Sequence, residues 1–197
     1  MINHIAFKNT LIQALGVEES RMDTFYALLE FKELKRREFL LQEGEYCNFI
    51  GFTIDGTLRT FYINEEGDEV NFLFHFHKRL EEMGFTDFES FLLESKAKLN
   101  IQALETSHVA LISRKNWMEL THSDDYWRSF ARRMTEIVYL AAKHRIEELL
   151  YYTPENRYLK LLEDYPEIVL QFPQKYIASY LGIQPQSLSR IRKRLMR

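Results

Sequence analysis

The chain has a single cysteine, Cys47, among its 197 residues. It can form no internal disulfide, and one chain cannot build a four-thiolate iron–sulfur cluster or a cysteine-rich zinc site. No run of about 18 apolar residues occurs, which excludes an obvious membrane span. The opening MINHIAFKNTLIQALGVEES has no basic segment followed by an apolar stretch and a small-residue cleavage site, so it does not read as a signal peptide. A reducing cytoplasm is the expected compartment, with no membrane partner. Also missing are G-x-S-x-G, a P-loop and a dinucleotide fingerprint. The acidic pairs Asp124-Asp125 and Glu147-Glu148 suit helix ends and solvated faces better than acid–base catalysis. No catalytic residue, metal or resident cofactor is expected.

Charge is unevenly spread. The net charge is −3, yet the segment 173–197 holds six Lys or Arg and no Asp or Glu. The remainder carries 20 basic and 29 acidic residues, about −9. A basic tail on an acidic body points to a polyanion partner, nucleic acid first.

Residues from about 4 to 30 read as helical, with Leu28 and Leu29 closing an apolar face. Aromatic and β-branched strands follow: Phe39 to Leu41, CNFIGFTI, TLRTFYI and VNFLFHF. Asp55-Gly56 is a two-residue hairpin signal and Glu66-Gly67-Asp68 a second turn. A polar, helix-like insert, KRLEEMGFTDFESFLLESKAK, precedes the strands LNIQAL and HVALIS. Short strands with regularly spaced turns suggest a small barrel or jelly roll. The expected class is α+β: an N-terminal β-roll over 1–123, a long helix over 124–151, and a helical domain over 152–197.

The long helix, capped by Ser123 or Asp124, carries two apolar stripes. One is Trp127, Phe130, Met134, Ile137 and Ala141, a coiled-coil-like seam read as the dimer interface; the other is Val138, Ala142, Ile146 and Leu149. Such a helix spans about 40 Å, more than a small domain needs. Two apolar faces call for two packing partners, the β domain and a second subunit. Thr153-Pro154 restarts a helix carrying Tyr158, Leu161 and Leu162, and Tyr165-Pro166 ends it.

The most specific stretch is FPQKYIASYLGIQPQSLSRIRKRLMR. Pro173 opens a helix with Ile177, Ala178 and Leu181 on its apolar face. Gly182 ends it, and Ile183 plugs the turn. Pro185 opens a second helix with Leu188, Ile191 and Leu195 buried and a polar, basic face opposite. This is the layout of a helix-turn-helix. Gln pairs bidentately with adenine and Arg with guanine, while Ser and Lys hold phosphates. The expected contacts to double-stranded DNA are Lys175, Gln184, Pro185, Gln186, Ser187, Ser189, Arg190, Lys193 and Arg194.

With QEGE leading into a glycine-bearing β domain, a long helix near 124–151 and IASYLGIQPQSLSRIRKRL at the end, the chain resembles the cyclic-AMP receptor protein/fumarate–nitrate regulator (Crp/Fnr) family. The resemblance covers nearly the whole chain. It implies a cyclic-nucleotide-binding-like roll, a homodimerising central helix, a winged helix-turn-helix and contact with RNA polymerase. The family's base-reading positions fall on Pro185, Gln186 and Arg190; only Arg190 keeps the expected residue, so a different operator is implied. Only Met196 and Arg197 follow the last helix, so the wing is expected to be short or absent.

The resemblance also places an effector cassette on Phe85, Thr86, Asp87, Glu89, Lys96 and Lys98. Its Gly-Glu pair falls on Thr86-Asp87 and its Arg-Ser pair on Ala97-Lys98. Without the arginine the main partner of a cyclic phosphate is gone, and Lys lacks its bidentate fork. The effector is expected to be another small molecule than cyclic AMP, or none. An alternative is a cupin-like metal enzyme using His75, His77 and Glu81, since residues two apart on a strand share a face. The second cupin motif is not visible. Haem ligation by Cys47 or a histidine is a further option that nothing in the chain singles out. Cys47 reads as a small buried hydrophobe.

Overall fold

The computed structural model describes residues 4–76 and 80–195. In chain order these form α1 (His4–Leu15), α2 (Glu19–Tyr26), β1 (Leu29–Leu34), β2 (Phe39–Leu41), β3 (Phe49–Asp55), β4 (Leu58–Ile63), β5 (Glu69–His75), α3 (Leu80–Met83), β6 (Gly84–Phe85), α4 (Phe88–Leu93), β7 (Asn100–Ala103) and β8 (Ser107–Ser113). Six helices follow: α5 (Arg114–Ser123), α6 (Asp125–Tyr151), α7 (Pro154–Asp164), α8 (Pro166–Gln171), α9 (Gln174–Tyr180) and α10 (Pro185–Leu195). No helix among the described residues is long and apolar enough to cross a membrane.

The strands make two four-stranded sheets, ordered β1-β8-β3-β6 and β2-β7-β4-β5. Alternation divides the first sheet's residues between two cores. Val109 faces inward with Leu34, Leu41, Phe49, Leu58 and Ile101. Its neighbour Ala110, with Phe52 and Ile112, faces the helices, where Phe7, Leu11, Phe25, Trp117, Trp127 and Phe130 cover the sheet. This is the α+β roll expected from the sequence.

Four local expectations change. The helical reading through residue 30 fails because Leu29–Leu34 is a strand. Each of its residues pairs with β8, from Leu29 with Ile112 to Leu34 with Ser107, and that ladder overrides the apolar run. Asp55-Gly56 is not a hairpin turn. β3 pairs with β8 and β6, whereas β4 lies in the other sheet, so the turn carries the chain between sheets. Gly56 is required there: its φ is +77°, and a Cβ would lie 2.7 Å from the Ser107 Cα. The polar insert contains a two-residue strand, β6, between its short helices. Helix α5, with Ser113 as its cap, was not expected at all; the Ser113 hydroxyl accepts the Asn116 amide at 3.1 Å.

The second turn matches expectation. The Asn64 side chain accepts the amides of Glu66 (3.1 Å) and Asp68 (2.8 Å), closing the β4–β5 hairpin.

The chain divides into two compact units: residues 1–60 with 74–139, and residues 61–73 with 140–197. The second unit thus gathers the hairpin tip with the C-terminal helices. All four prolines, 154, 166, 173 and 185, lie in this unit, each at or just before a helix's first residue. There the missing N–H breaks no helical hydrogen bond. Its core is Tyr158, Leu161, Ile168, Val169, Ile177, Ala178, Leu181, Leu188 and Ile191. Leu195, expected inside, is 41 % exposed because α10 ends there.

In helix α6 the stripe read as the dimer interface is covered at its start by the chain's own core. Trp127 and Phe130 are buried in the chain's own core, with Phe25 stacked on Trp127 at 6.1 Å between ring centroids. Met134 packs on the same cluster. They are therefore not free for a partner subunit. Ile137 and Ala141 are half-buried. The open apolar residues include Val138, Tyr139, Ile146, Leu149 and Leu150, on the second stripe and beside it, with Leu140 and Tyr151 further round the helix.

Candidate nucleic-acid interface

Helix α9 ends in a Schellman turn. The Ile183 amide reaches back to the Ala178 carbonyl (3.0 Å) and the Gly182 amide to the Ser179 carbonyl (3.0 Å). Gly182 supplies the left-handed residue, with φ +67°. Pro185 then starts α10, whose Leu188 and Ile191 are buried. Three residues apart, they fix which face is turned out.

The outward face carries the expected set. Lys175, Gln184, Pro185, Gln186, Arg190, Lys193 and Arg194 are exposed, and Ser187 and Ser189 half-buried. Arg190 is steadied by the Ser187 hydroxyl at 3.3 Å. Arg194 is less available than the sequence suggests, because its guanidinium pairs with Glu155 of α7 at 2.5 Å. No acidic residue lies on α10, and its last turn holds Arg192, Lys193 and Arg194. Arg192, half-buried, was not among the expected contacts. The helix thus presents amide and hydroxyl side chains near its start and cations at its end.

The expected effector cassette is closed on itself. Asp87 is 5 % exposed and caps α4. One carboxylate oxygen accepts the Ser90 amide (3.0 Å) and the other the Lys98 amide (3.1 Å). The carboxylate therefore takes up both amides from within the loop. Lys98 reaches outward to Glu89 at 2.7 Å. Thr86 donates to the Phe49 carbonyl (2.8 Å), and Phe85 is buried in the roll beside Phe49 and His75. Lys96 is exposed and joins the cassette to Tyr46 through a backbone bridge. The fixed polar groups of these residues serve the loop itself.

Of the metal alternative, His77 and the side chain of Glu81 fall outside the described residues. His75 is fully buried, with Nε2 3.3 Å from the Thr60 hydroxyl. Burial pushes its pKa down to about 4, against the raising effect of the nearby Glu82 and Gly84 backbone. Among the described residues no group of three His, Cys, Asp or Glu is placed to hold a metal ion. Cys47 is buried; its amide is held by Ser90 and its Sγ lies 3.3 Å from the Thr86 hydroxyl.

Three residues of the second unit had no signal in the sequence: Arg145, Arg157 and Ser179. Arg145 is 4 % exposed, donates to the Phe72 carbonyl (3.2 Å) and to the Tyr180 carbonyl, and lies over the Tyr180 ring at 3.8 Å. Each works through backbone carbonyls, and no residue-type pattern reveals such partners.

No protein-family model matches the chain, and no curated protein matches it. Solved structures do. FixK2 from Bradyrhizobium japonicum superposes with a TM-score of 0.70 at 17 % identity, over 85 % of this chain and 84 % of its own. A putative transcriptional regulator of the Crp/Fnr family from Eubacterium rectale gives 0.71 at 13 % identity, over 92 % and 84 %. A putative cyclic nucleotide binding protein from Ruegeria pomeroyi gives 0.70 at 21 % identity, over 98 % and 88 %. The chain therefore has the Crp/Fnr fold along nearly its whole length.

Proposed function

We propose that this protein is a sequence-specific DNA-binding transcription regulator and not an enzyme. The observation that carries the reading is α10 itself. A Schellman turn at Gly182 and burial of Leu188 and Ile191 turn Gln186, Arg190 and Lys193 outward together. The fold shared with Crp/Fnr regulators supports it independently.

The protein acts as a homodimer. The exposed stripe of α6, Val138, Ile146 and Leu149 with Tyr139 and Leu150 beside it, is the face that pairs. Two-fold symmetry then sets two recognition helices in major grooves about one helical turn apart, on a roughly palindromic operator. Contact with RNA polymerase completes the reading and rests on the family resemblance. The cassette does not take a cyclic nucleotide, because Asp87 already occupies the amides that would hold a phosphate. Any effector is another small molecule.

In-vitro selection from randomised duplex DNA, with affinity followed against salt, tests this. Enrichment of a palindrome with half-sites one turn apart is expected. Weak, salt-sensitive binding without enrichment overturns sequence-specific reading.

A further inference from the structure

The tip of the β4–β5 hairpin and the helix-turn-helix lie in one compact unit, and they are bonded to each other. Ser179 stands on α9 and faces the hairpin. Its hydroxyl donates to the Glu69 carbonyl at 2.9 Å and accepts the Asn71 amide at 2.8 Å. The Asn71 side chain, 2 % exposed, donates to the Tyr176 carbonyl at 3.4 Å. Buried Arg145 donates to Phe72 of the hairpin and to Tyr180 of α9 through their carbonyls.

The hairpin brings a particular charge to this place. Residues 64–69 read NEEGDE, with four carboxylates and no basic residue. A cleft of about 570 Å³ separates this tip from the reading head; Asp68 and Glu69 line one side, Lys175, Gln184 and Pro185 the other. Lys175 and the positive end of the α10 dipole are groups that would attract a DNA phosphate. Carboxylates across the same cleft offer those groups an intramolecular anion and repel an incoming backbone.

We propose that the acidic tip of the β4–β5 hairpin is an intramolecular competitor of DNA, latched onto the helix-turn-helix by Ser179 and Arg145. The proposal rests on the DNA-binding reading above. Binding needs the tip displaced, so DNA affinity reports the fraction of molecules with the latch open. A tip docked in about nine molecules in ten weakens apparent binding about tenfold.

The test uses the full chain and three variants. Ser179→Ala removes both hydroxyl bonds without changing charge. E65Q/E66Q/D68N removes three of the tip's four charges, the cleft-lining Asp68 among them, while leaving the Asn64-closed turn and its backbone bonds. E18Q/E19Q/E30Q removes the same charge from exposed sites in the other unit. Hydrogen exchange of the 64–72 amides is followed without DNA, and Kd is measured on the selected duplex across salt.

S179A is expected to speed exchange in the hairpin and to tighten binding about tenfold, with an unchanged salt slope. The tip variant should tighten binding at least as much, and the charge-matched control by less than about threefold. Faster exchange with unchanged or weaker binding overturns competition and makes the hairpin a support. Unchanged exchange in S179A overturns the latch. If wild type and all variants bind every duplex only weakly and alike, the DNA-binding reading itself has failed; the exchange data separate that result from an absent latch.

Discussion

Arg157 aims both Nε and Nη2 at the carbonyl of Leu181, at 3.1 and 2.8 Å. That carbonyl ends α9, just before the glycine of the helix-turn-helix. The other arm of the guanidinium donates to the carbonyls of Leu149 (3.1 Å) and Tyr152 (2.6 Å), at the end of α6. One side chain therefore satisfies the last carbonyls of two helices, and partial burial lowers its pKa without discharging it. Arg157→Ala should lower stability of the C-terminal unit by about 2–3 kcal/mol, since it orphans several carbonyls. Arg157→Lys should recover only part, because an ammonium cannot fork. Urea unfolding followed by tyrosine fluorescence checks both. Equal behaviour of Ala and Lys variants would refute the fork.

On the DNA side, Arg190→Ala should cost about 1–3 kcal/mol at the selected site and relax one base position. Lys193→Ala should weaken all duplexes alike and reduce the salt slope by about one phosphate contact. Titrations on matched and mismatched duplexes separate the two. No change in either variant would mean that α10 is not the reading helix.

For dimerisation, Ile146→Glu puts a charge on the open stripe of α6, where the side chain is 55 % exposed. Sedimentation should show monomers with an unchanged circular dichroism spectrum. Phe130→Ala should instead destabilise the roll by about 3–5 kcal/mol, because Phe130 is fully buried. A dimer that survives Ile146→Glu but not a Phe130 change would restore the first stripe as the seam.

At the cassette, Asp87→Ala should cost about 1–2 kcal/mol through loss of the α4 cap and of the Lys98 amide's partner. Calorimetric titration of the wild type with cyclic AMP or cyclic GMP should give no binding heat. A saturable heat would show that Asp87 moves aside for the phosphate.

His75 makes stability depend on acid. Its folded pKa of about 4 lies below the ordinary value of 6.5, so between these the unfolded chain binds the extra proton. The stabilisation is complete above about pH 6.5 and is lost as pH falls toward 4, to a limit of about 3 kcal/mol. Denaturant midpoints at pH 7, 5.5 and 4 should fall for the wild type and fall less for His75→Gln. Parallel decline of the two would assign the acid loss to other groups.

The C-terminal site was legible before the fold because its physics is local. Ala178, Gly182, Pro185 and the Leu188-Ile191 spacing each dictate a backbone angle, a helix start or a buried face within a few residues. The roll was legible as a class for the same reason, since alternation and turns mark strands. Which strands pair was not: Asp55-Gly56 has the composition of a hairpin, yet long-range pairing of β3 with β8 sends the chain to the other sheet. Leu29–Leu34 likewise became a strand only because β8 was there to pair with it.

Helix α6 divides the two kinds of information most sharply. Its sequence determined a long helix with two apolar stripes. Only packing decided that Trp127 and Phe130 face the chain's own sheet and leave Val138, Ile146 and Leu149 open, because both stripes are equally apolar until one is covered. Arg145, Arg157 and Ser179 belong wholly to the tertiary structure. Their partners are backbone atoms from 5 to 110 residues away, and a carbonyl's position is set by the fold and carries no residue type.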